Sequence, residues 1–490
     1  MTNTPPVIVW FRQDLRLGDN PALSAAAKTG SPVLPVYIWD TDAAGEWAMG
    51  GAARVWLHGS LQALDAQLAS VSSKLLLQAG KTAEILLQLA QDTGARQIHC
   101  NARYEPWALS QEQQVKSVLA EAGVTLSRHT GGTLLWEPES VATQQGKPYQ
   151  VFTPYFNRCL SLLPEIHPLP APVQLIAPAQ WPDALTVEAL RLLPTIPWDA
   201  EMRALWKPGE VAAMQRVQTF LQEAVAGYPQ ARDIPSQRGT SRFSPHLAHG
   251  EISPRQIWQA VEVFSSGTSG SSVKSATATF LREIVWREFA YHVLFHFPHT
   301  TNQPLKEKFR HLPWAENADW LKRWGQGQTG YPLVDAGMRQ LWRTGWMHNR
   351  VRMVVGSFLT KDLLIPWQDG ARWFWDTLVD ADLAINSMNW QWVAGCGADA
   401  QPFFRIFNPV SQSEKFDPAG AYIRQWVPEL APIESSTIHA PWQAKPLHLQ
   451  LAGMQLGETY PHPIVDHAEA RSKALMLYKQ IGESSSPTAG

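Results

Sequence analysis

The chain has 490 residues, room for about three domains of ordinary size or two large ones. With 45% apolar and 17% charged residues, a sizeable core is available and wholesale disorder is excluded; 32 Gly and 37 Pro exclude a collagen-like or low-complexity chain. Forty-one Lys and Arg against 43 Asp and Glu leave a net charge of −2, which excludes a globally basic nucleic-acid coat but allows a local basic groove.

Tryptophan is the compositional anomaly: 23 Trp exceed 17 Phe and 10 Tyr. Because the indole N–H wants a partner, such an excess points to stacking surfaces or electron traffic. Cys100, Cys159 and Cys396 lie far apart and form no CxxC, metal spacing or even disulfide set. The fifteen His show no clustered ligand spacing, so no metal is expected. No apolar run reaches membrane-spanning length, and MTNTPPVIVWFRQDLR has no signal-peptide pattern. Cytoplasm is the expected compartment.

In chain order, 7–11, 31–39, 74–80, 96–102 and 124–130 read as strands. Residues 52–69, 81–95 and 110–123 read as helices between them. That alternation predicts a doubly wound parallel sheet, an α/β domain over 1–130. Ligands of such sheets sit beyond the strand C-termini, where Leu15–Asn20 and Trp39–Asp42 would lie. Eight prolines between 161 and 200 predict a long Pro-rich linker over 131–200. From 201 to 476 the periodicity is helical, and 477–490 reads as a flexible tail.

GQGQTG (325–330) and GCGADA (395–400) match the glycine fingerprint of dinucleotide-binding folds. Both follow helical sequence instead of a strand, so turns between helices are the better reading. Ser244-Pro245 and Ser253-Pro254 each place a hydroxyl at N-cap and Pro at N1, so each should start a helix. Thr240, Ser241 and Arg242 ahead of the first complete a possible anion cradle; an ordinary capped helix is the alternative.

Residues 338–362 read as one helix broken near Gly345, with Trp346, Asn349, Arg350 and Met353 on one face. In 279–293, Glu283, Trp286 and Arg287 share a face; the plain alternative is a Glu283–Arg287 ion pair beside a core Trp. Residues 320–360 carry six Lys and Arg against Asp335, among Trp320, Trp324, Tyr331, Trp342 and Trp346. Cations among aromatics suit a phosphate backbone with stacked bases, or simply a solvated face. Asp380, Asp382, Asn386, Trp390 and Trp392 crowd into 378–392. They suit the polar edge of a planar ligand, or a buried polar network.

These blocks resemble the photolyase/cryptochrome family of blue-light flavoproteins. VWFRQDLRLGDNPAL, TSRFS, EIVWREF, TGYPLVDAGMRQLWRTGWMHNRVRM, KDLLIPW, NWQW, RIFNP and EKFD carry the resemblance over residues 7–476. It implies an all-α FAD-binding domain after the α/β antenna domain and the linker. WMHNRVRM is most similar to class I cyclobutane pyrimidine dimer photolyases. By resemblance, Tyr228, Thr240, Ser241, Arg242 and Ser244 hold the FAD phosphates, and Phe280 takes a FAD-contacting position that is often Trp. Arg352, Asp380, Asp382 and Asn386 surround the flavin ring. Glu283, Trp286, Asn349, Met353 and Trp392 line the lesion pocket, with Asn349 also facing FAD. Arg232 and Arg350 correspond to DNA-backbone contacts. Trp390, Trp367 and Trp314 match an electron-transfer chain to the surface.

The implied activity is light-driven repair of pyrimidine dimers in UV-damaged DNA by a monomer, with the dimer flipped out and one electron lent by excited, reduced FAD. Glu283 would stabilise the dimer radical anion. YEPWALSQ (104–111) lacks the Asn-Glu pair that some folate-binding relatives carry. The antenna chromophore is therefore left among a folate, a deazaflavin, another flavin or none. A signalling cryptochrome and a DASH-like single-strand repair enzyme are the competing readings.

Overall fold

The computed structural model describes residues 4–268, 270–400 and 404–483. Five strands, β1 (Val7–Phe11), β2 (Val33–Trp39), β3 (Leu76–Ala79), β4 (Gln97–Asn101) and β5 (Thr125–His129), form one parallel sheet in the order β3-β2-β1-β4-β5. Helices α1 (Pro21–Lys28), α2 (Gly51–Ser70), α3 (Thr82–Thr93) and α4 (Pro106–Glu121) make the crossovers. The short α1 is absent from the sequence-based elements above.

Both faces of the sheet are covered, which is why β1 reads as an uninterrupted apolar run. Val7, Val9 and Phe11 cluster with Leu23 of α1 and Leu57, Leu61 and Leu64 of α2. Ile8 and Trp10 point the other way, toward Leu86 and Leu89 of α3 and Val115 and Leu119 of α4.

The regular elements of the rest of the described chain are helices. They include α5 (Phe152–Ser161), α6 (Ala200–Leu205), α7 (Glu210–Thr219), α8 (Tyr228–Ala231), α9 (Ser244–Ala248), α10 (Pro254–Ser266) and α11 (Ser271–His296). Then come α12 (Ala318–Gly325), α13 (Pro332–Thr344), α14 (Asn349–Ser357), α15 (Trp367–Thr377), α16 (Leu383–Ala394), α17 (Pro409–Phe416), α18 (Ala421–Trp426), α19 (Pro446–Leu451) and α20 (His467–Glu483). Because α20 runs to Glu483, residues 477–483 are helix and not the expected tail; 484–490 lie outside the described residues. The 131–200 stretch is mostly irregular, as its prolines require, but it contains α5.

Two compact units result. One takes residues up to 226, 241–298 and 379–384; the other takes 227–240, 299–378 and 385 onward. The division does not follow a boundary at 201, because the loop after β1 brackets the 241–298 segment inside the first unit. There Leu15 N–H donates to His249 O at 3.3 Å, and buried Arg16 donates to the carbonyls of Gly250 (2.9 Å) and Gly132 (2.5 Å). Ser253 Oγ donates to Asp19 Oδ2 at 2.6 Å. Gly250, at φ +67°, lies so close to the Gln13 backbone that no side chain fits.

Both glycine fingerprints are turns after helices. Gly327 (φ +63°) and Gly330 (φ +80°) follow α12, and Gly395 (φ +87°) follows α16.

Candidate functional site

The loop beyond β1, where a doubly wound sheet would hold a ligand, is filled by the protein itself. Leu17 and Gly18 N–H groups donate to the Glu210 carboxylate of α7 at 2.7 and 2.9 Å. Asp40, beyond β2, accepts from Thr82 N (3.0 Å) and Oγ1 (2.8 Å) and so caps α3. Tyr104 donates to Glu137 at 2.6 Å, and Arg103 pairs with Glu105 at 2.5 Å, so the Tyr-Glu step of YEPWALSQ is spent internally.

The first unit holds Ser241, Arg242, Ser244, Phe280, Glu283, Trp286, Asp380 and Asp382. Arg242 is left-handed at φ +55°, an uncommon conformation for a side-chain-bearing residue. One of the two Ser-Pro expectations is corrected. Ser244 is the first residue of α9, with Phe243 at the N-cap, and α9 has only five residues, so its dipole is small. Ser253 behaves as expected: its Oγ accepts from Gln256 N at 3.0 Å, and its N–H donates to Gln256 Oε1 at 2.9 Å, a complete capping box. Phe280 is buried in a cluster with Phe220 (ring centroids 4.7 Å apart) and Phe243 (5.8 Å, edge-on).

Glu283 and Trp286 are half-buried one turn apart on α11. Trp286 lies flat on Phe152 of α5, centroids 3.5 Å apart and planes 6° off parallel, and the Arg282 guanidinium lies 4.9 Å from the Phe152 ring and 4.7 Å from the Phe156 ring. Phe152 was missed from sequence because it lies in the Pro-rich stretch. The aromatic spacing Phe152, Tyr155, Phe156 was the available signal. Arg287 is buried, bonded to Thr133 O at 3.0 Å and Glu288 at 3.3 Å. Asp380 and Asp382 are buried just before α16, and Tyr291 Oη donates to Asp382 Oδ2 at 2.6 Å.

The second unit holds Tyr228, Arg232, Thr240, Trp314, Asn349, Arg350, Arg352, Met353, Trp367, Asn386, Trp390 and Trp392. The Arg232 guanidinium sits 5.2 Å from the Tyr228 ring. The single broken helix expected over 338–362 is two helices. Gly345 (φ +68°) ends α13, and His348 caps α14 by accepting from Arg350 N at 3.2 Å. Trp346 lies in the connection, so it does not share a helical face with Asn349, Arg350 and Met353. Asn349 is exposed at the start of α14, whereas Met353 is half-buried.

The cation excess over 320–360 is partly neutralised within this unit. Arg339 pairs with Glu429 at 2.6 Å and Arg350 with Asp233 at 2.8 Å, Arg350 also lying 4.5 Å from the Phe416 ring. Arg352 Nε donates to Met347 O at 2.8 Å.

Trp390 (4% exposed) and Trp367 (1%) are buried, and Trp314 is half-buried. Ala315 N–H donates to Leu364 O at 2.7 Å, which brings the Trp314 segment beside the one that leads into Trp367. The Trp390 ring meets Phe374 (5.0 Å) and fully buried Trp324 (6.3 Å), and Trp324 meets Trp373 (6.4 Å). Asn386 Nδ2 donates to Ala371 O at 3.0 Å, which fixes the amide against α15. Gln391, between the two indoles of NWQW, donates to Thr300 O (2.7 Å) and Gln303 O (2.8 Å); sequence reasoning passed over it.

Within the first unit Ser241 and Ser244 supply hydroxyls, Arg242 a guanidinium, and Asp380 and Asp382 buried carboxylates that can accept from N–H or O–H donors. Within the second, Thr240 supplies a hydroxyl and Arg352 a guanidinium. Among the described residues no cluster of His, Cys, Asp or Glu could hold a metal ion, and no helix is long and apolar enough to cross a membrane.

Two family models match this chain: DNA photolyase over residues 7–173 and the FAD binding domain of DNA photolyase over residues 280–480. A deoxyribodipyrimidine photo-lyase of Agrobacterium fabrum is 47% identical over 480 residues, covering 98% of each chain. Cryptochrome-2 of Arabidopsis thaliana is 39% identical over 97% of this chain and 79% of its own. Among solved structures, a bacterial class III photolyase from Agrobacterium tumefaciens superposes with a TM-score of 0.93 at 46% identity, covering 99% of both chains. A photolyase from Sulfolobus tokodaii, described with two FAD molecules, superposes with a TM-score of 0.82 at 29% identity, covering 97% of this chain and 100% of its own.

Proposed function

Because this chain belongs to the DNA photolyase and cryptochrome family and carries that family's FAD-binding domain, we propose that it repairs cyclobutane pyrimidine dimers in UV-damaged DNA under blue light. The observation that carries the reading is the wall on α11. Trp286, pressed flat by Phe152, offers an apolar platform, and half-buried Glu283 stands one turn away to bond a polar edge. A flipped-out dimer needs both, because its pyrimidine faces are apolar and its carbonyl edge is polar.

The chemistry that FAD supplies when bound is light-driven donation and return of one electron. The chain's residues do the rest. Arg242 with Thr240, Ser241 and Ser244 would hold the phosphates; Tyr228 and Phe280 would pack against the cofactor. Asp380, Asp382, Arg352 and Asn386 would fix the ring. By resemblance, Asn349, Met353 and Trp392 would contact the lesion, and Arg232 and Arg350 would hold the DNA backbone without reading sequence. Trp390, Trp367 and Trp314 would carry an electron inward to the cofactor, a service separate from repair. A second chromophore would belong to the α/β part. The class III relative at 46% identity favours that class over the class I likeness of WMHNRVRM.

The test is repair of dimers in duplex and in single-stranded DNA, lit and dark. Light-dependent repair of duplex supports the reading. Repair of single strands alone would make the enzyme DASH-like. No repair of either would favour signalling, the reading that the 39% identity to a plant cryptochrome supports.

A further inference from the structure

Asp382 is held by a buried network that the family-based roles do not use. Its Oδ2 accepts from Tyr291 Oη at 2.6 Å, and both residues are buried in the first unit. Tyr291 lies two turns beyond Glu283 on α11. Its ring meets the edge of Tyr104 at 6.2 Å, and the Arg287 guanidinium lies 4.7 Å from its centroid. Arg287 is in turn tied to Glu288 at 3.3 Å, and Arg103 is held by Glu105 at the end of the β4 strand. The phenol therefore has one place to be, with its hydroxyl aimed at the carboxylate. Burial and the Asp382 charge push the Tyr291 phenol well above its ordinary pKa, so it remains a donor throughout the working range.

We propose that Tyr291 is a positioning residue that keeps the Asp382 carboxylate ionised and in one orientation for the flavin ring. The inference rests on the reading above that Asp382 serves that ring. A hydroxyl donating to a carboxylate is a charge-assisted bond, among the stronger hydrogen bonds a protein makes. Deleting it from a buried acid favours the neutral form. The charged and titratable groups around Asp382 include Arg103 and Glu105 beyond β4, Arg287 and Tyr291 on α11, and Asp380 on its own segment. Arg103 and Arg287 favour the carboxylate, Glu105 and Asp380 oppose it, and the Tyr291 bond adds to the side of the carboxylate.

The test uses the FAD-loaded protein and Tyr291→Phe, which keeps the ring between Tyr104 and Arg287. The variant is expected to melt like the parent and retain FAD. Its oxidised flavin band should acquire a pH dependence that the parent lacks, and its midpoint potential should shift over the same range. Asp382→Asn in the same chain should abolish that pH dependence. Loss of FAD from a Tyr291→Phe chain that melts like the parent also supports the proposal. If Tyr291→Phe matches the parent in both profiles while Asp382→Asn alters the flavin band or releases FAD, Tyr291 only packs and the proposal is overturned. If Asp382→Asn leaves band, potential and FAD content untouched, the assignment of Asp382 to the flavin fails and takes the proposal with it.

Discussion

Gly370 lies against the indole of Trp390 so closely that a Cβ there would fall inside the ring's contact shell and 2.6 Å from Leu359 Cδ2. The absence of a side chain at 370 is thus what seats Trp390 against α15. Gly370→Ala should cost about 1–3 kcal/mol by overpacking. It should also displace Trp390, and slower photoreduction of bound FAD together with a lower Tm would report this. Parent-like values in both would mean that the ring has room the structure does not show.

Trp367 is buried and could be simple packing, the usual fate of the residue. In the proposed electron route, Trp367→Phe slows steady-state photoreduction by an external donor but leaves repair by chemically reduced protein at the parent level. A Trp324→Phe chain tests whether the contacts from Trp390 to Trp324 and Trp373 share that traffic. Loss of repair by pre-reduced Trp367→Phe would make the residue structural.

Glu283→Ala should lower repair per absorbed photon while sparing FAD content, since in the proposed site this carboxylate would serve the lesion and not the cofactor phosphates. Single-turnover flashes measure this directly. An unchanged yield removes Glu283 from the mechanism.

Arg350 is bonded to Asp233, so its charge is only partly available to DNA. Arg350→Ala should weaken damaged and undamaged DNA alike and reduce the salt slope of binding by about one unit. Asp233→Asn, which releases the guanidinium, should strengthen both. Weaker binding by Asp233→Asn would show that the pair itself positions Arg350.

Burial pushes the Lys361 amine down to about 7 from 10.5, its Nζ donating to the Arg405 carbonyl. Between those values the unfolded chain holds a proton that the folded chain has released, so stability rises with pH across the window. The slope is at most about 1.4 kcal/mol per pH unit. Denaturant melts of the parent and Lys361→Met across that range should converge or diverge accordingly, with the parent losing ground to the variant as pH falls. A constant difference would show that Lys361 keeps its proton when folded.

The sequence by itself determined the elements whose signals are local. β1 is apolar throughout because both its faces are covered, and the strand–helix alternation of the first 130 residues is a parallel sheet. Ser253-Pro254 starts a helix because cap, Pro and Gln256 are neighbours in the chain. The long motifs determined the family. Only the tertiary structure decided which residues meet. Phe152 under Trp286, Glu210 on Leu17 and Gly18, Tyr291 on Asp382 and Gly370 under Trp390 join positions from 20 to 193 residues apart. A hydrogen bond or a stacked ring imposes no periodicity on its own segment, so neither partner announces the other. The same reason separates the two Ser-Pro steps. Their local chemistry is alike, but Ser253 is fixed by Asp19 of the β1 loop, whereas the chain around Ser244 follows the left-handed turn at Arg242 and starts its helix one residue early.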